Sequence, residues 1–161
     1  NMLGVIIGVL SVILLVSLAA AGLITRGRLV YFHAAVAALA VLDTIERDRL
    51  VLHAAKVGKV LHDGIAALAG RHEAIGDVRG AGLFCGAELV ADRKTKEPMD
   101  EKKVAAVVGE CNAQGVIIGM TNRSLPGLNN TLCLSPALIA TADDIDEITG
   151  AIDKALTKVF G

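Results

Sequence analysis

Apolar positions fall into three regimes along the chain. From Leu3 to Ile24 they are nearly unbroken, with only Ser11 and Ser17 as polar side chains. At 1.5 Å per residue, about 22 residues span about 33 Å, enough to cross a bilayer as one helix. From Ala34 the spacing becomes helical. Val36, Leu39, Leu42 and Ile45 predict a helix over Ala34–Arg47, and Val57, Leu61, Ile65 and Leu68 predict a second over about Val51–Ala69, with Gly70 as its stop. The charge run Glu46–Arg49 separates the two.

Beyond Gly76 the apolar runs shorten. Gly76 to Val90 reads as strand, tight turn, strand, with Gly80-Ala81-Gly82 at the turn and an apolar run from Leu83. The stretch 91–103 mixes Arg93, Lys94, Lys96, Lys102 and Lys103 with Asp92, Glu97, Asp100 and Glu101 around Pro98, and reads as a solvated loop. Asp100 precedes a predicted helix, Glu101–Gln114, with Val104, Val107, Val108 and Cys111 inward and Gly115 just past its end. Val116–Ile118 and Thr131–Leu134 predict short strands, separated by a loop over 119–130 rich in turn formers. Thr141 followed by Asp144 has capping-box spacing, and Ile145, Ile148, Ile152, Leu156 and Val159 form the stripe of a last helix. This order predicts an α+β layer, a small, largely antiparallel sheet with helices on one face, preceded by an apolar helix.

Composition narrows the class. The chain has 161 residues, 53% of them apolar, a mean hydropathy of +0.58 and a net charge of −1. The first 30 residues carry only Arg26 and Arg28, which places the following side in the cytoplasm if 3–24 is an anchor. A signal peptide is the competing reading, with a small-residue site at Ala19-Ala20-Ala21 but no positive n-region. Without a basic stripe, and with Tyr31, Phe32, Phe84 and Phe160 as the complete set of aromatics, no nucleic-acid surface is expected. Cys85, Cys111 and Cys133 lie far apart in apolar runs, which predicts buried free thiols in a reducing cytoplasm. His53, His62 and His72 lack the i, i+4 spacing of a helical zinc pair and are expected at the surface, so no metal site is predicted. The glycines of Gly80–Gly86 do not follow the dinucleotide pattern and are read as turn and packing positions.

Three segments carry a family resemblance. Asp77-Val78-Arg79-Gly80-Ala81-Gly82-Leu83 followed by Gly86-Ala87-Glu88-Leu89, the helix Ala37–Leu50, and Gly115–Pro136 together resemble the small C-terminal domain of class III aminotransferases, the ω-transaminase type. The resemblance covers about 35–161, with the apolar segment of 1–30 foreign to the family. It implies a cytoplasmic, homodimeric enzyme that uses pyridoxal phosphate to move an amino group from an amine or amino acid to pyruvate or a similar keto acid. It also implies that Val36, Leu39, Leu42 and Val57 face a large domain in a complete enzyme. Arg79 is then a scaffold residue, and Arg123, in the loop after the Gly-Val-Ile strand, is the residue expected to meet a substrate carboxylate, its planar fork suiting bidentate contact. Such chemistry needs a lysine bonded to the cofactor, an acid at the pyridinium nitrogen and phosphate donors. None can be assigned among Lys56, Lys59, Lys94, Lys96, Lys102, Lys103, Lys154 and Lys158, so no catalytic or cofactor-binding residue is expected, and no tight cofactor binding by this chain alone. A different reading is a membrane-anchored, non-catalytic binding module.

Overall fold

The computed structural model describes residues 11–15, 26–122 and 125–161, of which 26–30 as backbone only. The chain forms two units, Asn1–Asp48 and Arg49–Gly161. In the first, helix α1 (Arg26–Arg47) leaves the side chains of 31–43 exposed, among them Val36, Leu39 and Leu42. Its last turn is held by the Thr44 hydroxyl donating to Ala40 O at 2.9 Å and by an Asp43–Arg47 ion pair at 3.5 Å. No helix among the described residues is long and apolar enough to cross a membrane. The expected span 3–24 lies, apart from 11–15, outside those residues.

The second unit contains α2 (Leu50–Arg71), β1 (Ile75–Ala81), β2 (Phe84–Asp92), β3 (Glu97–Pro98), α3 (Glu101–Ala113), β4 (Gly119–Met120), β5 (Thr131–Leu134) and α4 (Ala142–Phe160). The sheet order is β1-β2-β5-β4, every pair antiparallel, with β3 added to the end of β2. Strand β2 therefore runs parallel to β4 and reaches it through α3, leaving β5 between them. Alternation along the central strands sets the layers. Cys85, Ala87, Leu89, Leu132 and Leu134 are buried in one core with Leu61 and Ile65 of α2, Val104 and Val107 of α3 and Ile152 and Leu156 of α4. Asp77, Arg79 and Glu88 stand out of that core. The expected α+β layer is thus present, and the stripes expected for α2, α3 and α4 are the ones that enter the core.

Four expectations are corrected. Gly70 does not stop α2, which runs to Arg71 and is capped by the His72 N–H on Leu68 O at 2.8 Å. Val57 is 6% exposed, because its helix face lies on the sheet core. The first short strand lies at Gly119–Met120 instead of 116–118, since the Val116 N–H is already bonded to Cys111 O at the end of α3 and ladder pairing starts at Gly119 with Cys133. Ile117 consequently points outward between buried Val116 and Ile118.

The fourth correction concerns 91–103, which is a structured hairpin. Asp92 accepts from the amides of Lys94 and Thr95 at 2.6 and 2.9 Å, Lys96 takes a left-handed conformation (φ 61°), and Glu97–Pro98 pairs back on β2. Met99 is then buried, with its N–H on Leu89 O at 3.1 Å.

Helix α4 begins with the full capping box. The Asp144 amide donates to the Thr141 hydroxyl at 3.2 Å, and the Thr141 amide donates to the Asp144 carboxylate at 2.7 Å. That backbone hydrogen bond, with the one from the Thr141 hydroxyl, holds the Asp144 carboxyl below its ordinary 3.8. A depressed folded-state value means that the unfolded chain binds the proton more readily, so this contribution is full above about pH 4 and disappears as pH falls through the folded value. Asp144→Asn is expected to remove that part of the acid dependence, seen as a smaller drop in urea midpoint between pH 5 and pH 3 than in the parent. An unchanged drop refutes the assignment.

Candidate functional site

The loop between β4 and β5 is built on a closed stem. The Thr121 N–H donates to Thr131 O at 2.9 Å, and the Thr131 N–H donates to the Thr121 hydroxyl at 3.2 Å. From the first turn of α3, one carboxylate oxygen of Glu101 accepts the Gly127 amide at 2.8 Å and the Asn129 side-chain amide at 3.1 Å. Asn130 is buried, and its side-chain amide reaches Leu89 O at 2.6 Å while the Leu89 N–H returns to Asn130 O at 2.7 Å. Gly127, at φ 85°, supplies the left-handed turn that a side chain would resist. Arg123, the expected carboxylate contact, lies with Ser124 outside the described residues. Its flanks are anchored by groups that periodicity did not single out, Glu101 above all, whose position in the first turn of α3 reads by itself as a favourable helix-dipole charge.

Arg79 has a structural task. Asp77 and Glu88 are cross-strand neighbours, a like-charge pairing that is unfavourable by itself, and Arg79 Nη1 meets both carboxylates at 2.6 Å. The hydrogen bonds to Glu88 and then Asp77 raise the guanidinium pKa further, so it stays cationic.

The histidines depart from the surface expectation. His53 Nε2 is 2.8 Å from Ala140 O, tying α2 to the segment before α4. His72 Nε2 lies 2.6 Å from Asp153, which also pairs with Arg71 at 3.1 Å. His62 Nε2 is buried with no hydrogen-bond partner. They lie inward because His53 and His72 each stand four residues beyond an end of the Val57–Leu68 stripe, at helical spacing with it, and His62 follows Leu61 by one. No group of three or more metal-ligating side chains exists among the described residues. The thiols are free, with Cys85 and Cys111 buried and Cys133 half-buried. Burial raises the Cys85 pKa and, with the Glu110 charge, pushes Cys111 up to about 11, so both remain protonated and unreactive at neutral pH.

Two apolar clefts open on this unit. One, of about 300 Å³, lies along Ile117–Gly119, Cys133–Pro136 and Ile148. The other, of about 520 Å³, lies between the start of α2, the β1–β2 turn and Ser135–Leu138.

The fold and the matching chain region define a class. The chain belongs to the class III aminotransferases, whose family model, described as aminotransferase class-III, matches residues 32–156. The match starts a few residues ahead of the onset expected near residue 35. Over 125 residues the chain is 66% identical to the hypotaurine/taurine–pyruvate aminotransferase of Paracoccus denitrificans (strain Pd 1222), covering 78% of this chain and 27% of that protein. It is 60% identical over 123 residues to the taurine–pyruvate aminotransferase of Rhodobacter capsulatus, covering 76% and 27%. Among solved structures, an aminotransferase of Bacillus anthracis superposes with a TM-score of 0.73 at 38% identity, over 75% of this chain and 27% of that one. The chain thus spans about 27% of the length of the curated relatives it matches.

Class III aminotransferases use pyridoxal phosphate. The described residues do not fit as its holder. Every lysine is exposed, Lys59 paired with Asp63 at 2.6 Å and Lys158 with Glu110 at 2.7 Å, and neither apolar cleft is lined by a lysine or an acid. A third cleft, of about 410 Å³, is lined by Lys154, Asp146 and Glu147, but all three are exposed side chains of α4, and solvent there leaves the lysine without the burial that lowers its pKa for covalent attachment.

Proposed function

We propose that this chain is the C-terminal portion, over about 35–161, of an aminotransferase that moves an amino group from taurine, hypotaurine or a related amine to pyruvate, and that it is inactive without the remainder of the fold. The 66% and 60% identity, over 125 and 123 residues, to two proteins named for that activity carries the reading. That every lysine is exposed, Lys154 beside Asp146 and Glu147 included, supports dependence on the remainder. Arg123 is the residue we assign to the keto-acid carboxylate. The described residues on either side of it are tied down by Glu101, Thr121 and Asn130, which supports a loop held in place next to the sheet. The free thiols agree with a reducing cytoplasm.

The test is a graft of residues 32–161 in place of the corresponding region of the Paracoccus denitrificans relative. The chimera is expected to form alanine from taurine and pyruvate within about tenfold of its parent. Arg123→Ala in it is expected to raise KM for pyruvate about 10- to 100-fold, the loss of one charge-assisted contact worth about 1.5–3 kcal/mol. A chimera that folds and binds cofactor but ignores taurine overturns the substrate class, and an unchanged pyruvate KM overturns the role of Arg123.

A further inference from the structure

Glu101 stands in the first turn of α3, where an acid ordinarily serves the helix, yet that task is already filled. Asp100 is the cap, its carboxylate accepting the Lys102 amide at 2.8 Å. The Glu101 carboxylate turns instead to residues 26 and 28 positions further on, one oxygen taking both the Gly127 amide and the Asn129 side-chain amide. Those two residues belong to one turn and its exit. Pro126 and Gly127 stand at its centre, with Gly127 at φ 85° as the third position of a type II turn requires, and the Leu128 N–H closes it on Leu125 O at 3.0 Å. Leu125 and Leu128 are exposed, so the turn is not seated by burial of its own apolar side chains. The Thr121–Thr131 and Asn130–Leu89 bonds fix the stem beside the sheet, and the two donors to Glu101 fix the tip.

We propose that Glu101 is a positioning residue for keto-acid binding, which holds the turn that begins two residues beyond Arg123 and thereby sets the affinity of the site for the pyruvate carboxylate. The effect on substrate rests on the role proposed for Arg123, whereas the hold on the turn does not. A charge-assisted, bidentate contact depends steeply on placement, so a tip that shifts weakens it. What is lost is binding made before the chemistry, and KM therefore rises while kcat stays. Because both donors meet a single oxygen, the carbonyl of a glutamine can accept them in its place. An alanine cannot.

Two measurements separate the anchor from its effect on substrate. In the whole chain, 1–161, tryptic cleavage of the Arg123–Ser124 bond is followed by mass spectrometry. Glu101→Ala is expected to speed it about tenfold and Glu101→Gln less than about threefold, with cleavage after Lys154, inside α4, unchanged. Equal cleavage in the parent and Glu101→Ala overturns the proposal. So does a glutamine as impaired as the alanine, since the carboxylate then acts by its charge on α3, and so does cleavage after Lys154 that rises in step, since Glu101 then supports the fold as a whole. In the chimera described above, Glu101→Ala is expected to raise KM for pyruvate about fivefold with kcat within about twofold, and to add less than about 1.5-fold on top of Arg123→Ala. A rise that persists undiminished in the Arg123→Ala background overturns the positioning role, because Glu101 then does not act through the arginine. A KM unchanged in Glu101→Ala but raised in Arg123→Ala overturns this inference and leaves the proposed function standing; a KM unchanged in both removes Arg123 from the site and the inference with it.

Discussion

Arg93→Ala is expected to cost about 3 kcal/mol of folding stability. The guanidinium, half-buried behind the end of α2, donates from Nε to Ile75 O at 2.9 Å and from Nη2 to His72 O at 2.8 Å and to Ala69 O. Those carbonyls belong to the last turn of α2, its cap and the start of β1, where helix geometry leaves acceptors without intrahelical donors. One side chain thus replaces three donors at a junction that no glycine cap closes. Hydrogen bonds to a charged group are worth about 1.5–3 kcal/mol each, and two of the three share one nitrogen, so the sum stays well below three full bonds. The Glu73 carboxylate, 3.6 Å away and 90% exposed, adds little. Lysine at this position can present one ammonium to one or two of the carbonyls, so Arg93→Lys is expected to recover less than half of the loss. Urea unfolding followed by far-ultraviolet circular dichroism measures both. A loss under about 1 kcal/mol for Arg93→Ala rules out the clamp.

Arg93 also shows where the sequence stops being legible. The stripes of α2, α3 and α4 and the Gly80–Gly82 turn follow from spacing alone, because burial against a single sheet imposes the period of each element. Arg93 sits among Lys94, Lys96 and Lys102 in a run that looks uniformly solvated, and only tertiary approach of three carbonyls separates it from its neighbours. The same holds for Met99 and for the Glu97–Pro98 pairing, which the Asx-type turn at Asp92 creates by folding the run back on β2. The histidines of α2 and its cap follow a related rule. His53 and His72 continue the apolar stripe by one helical turn beyond its ends and His62 borders it, so each is carried partly inward.

The candidate site divides along similar lines. The loop around Arg123 was recognisable from its turn formers and its position between two short strands, but its anchoring depends on Glu101, which is 22 residues earlier in the chain and belongs to another element. Long-range pairings of this kind leave no periodic trace. The family resemblance reached further than periodicity because it reads several such positions together, and the match over 32–156 extends across both the helix that stands exposed in the first unit and the sheet of the second.

Gly58→Ala is expected to be among the most damaging small substitutions in the described residues, costing about 4 kcal/mol or preventing folding. A Cβ at Gly58 would fall on the carbonyl carbon and oxygen of Gly82 and lie 2.6 Å from its Cα. These are backbone atoms of a tight turn, so no rotamer change relieves the overlap. Either α2 withdraws from the hairpin, opening the contact that seals Leu61, Leu83 and Cys85 into the core, or the β1–β2 turn distorts. Overpacking in a well-filled core typically costs about 1–3 kcal/mol, and the inability of backbone to yield puts this site above that range. Two further glycines calibrate the result. A Cβ at Gly82 meets nothing nearer than Ala54 O at 3.7 Å, so Gly82→Ala bears mainly the left-handed conformation, about 1–2 kcal/mol. Gly70 lies within α2 with open space around it, and Gly70→Ala is expected to stabilise by about 0.5–1 kcal/mol through helix propensity alone. Urea midpoints for the three variants should therefore fall in the order Gly70→Ala, parent, Gly82→Ala, Gly58→Ala. If Gly58→Ala stabilises as Gly70→Ala does, α2 does not press on the β1–β2 turn, and the close approach of Gly58 to Gly82 is not a constraint on the fold.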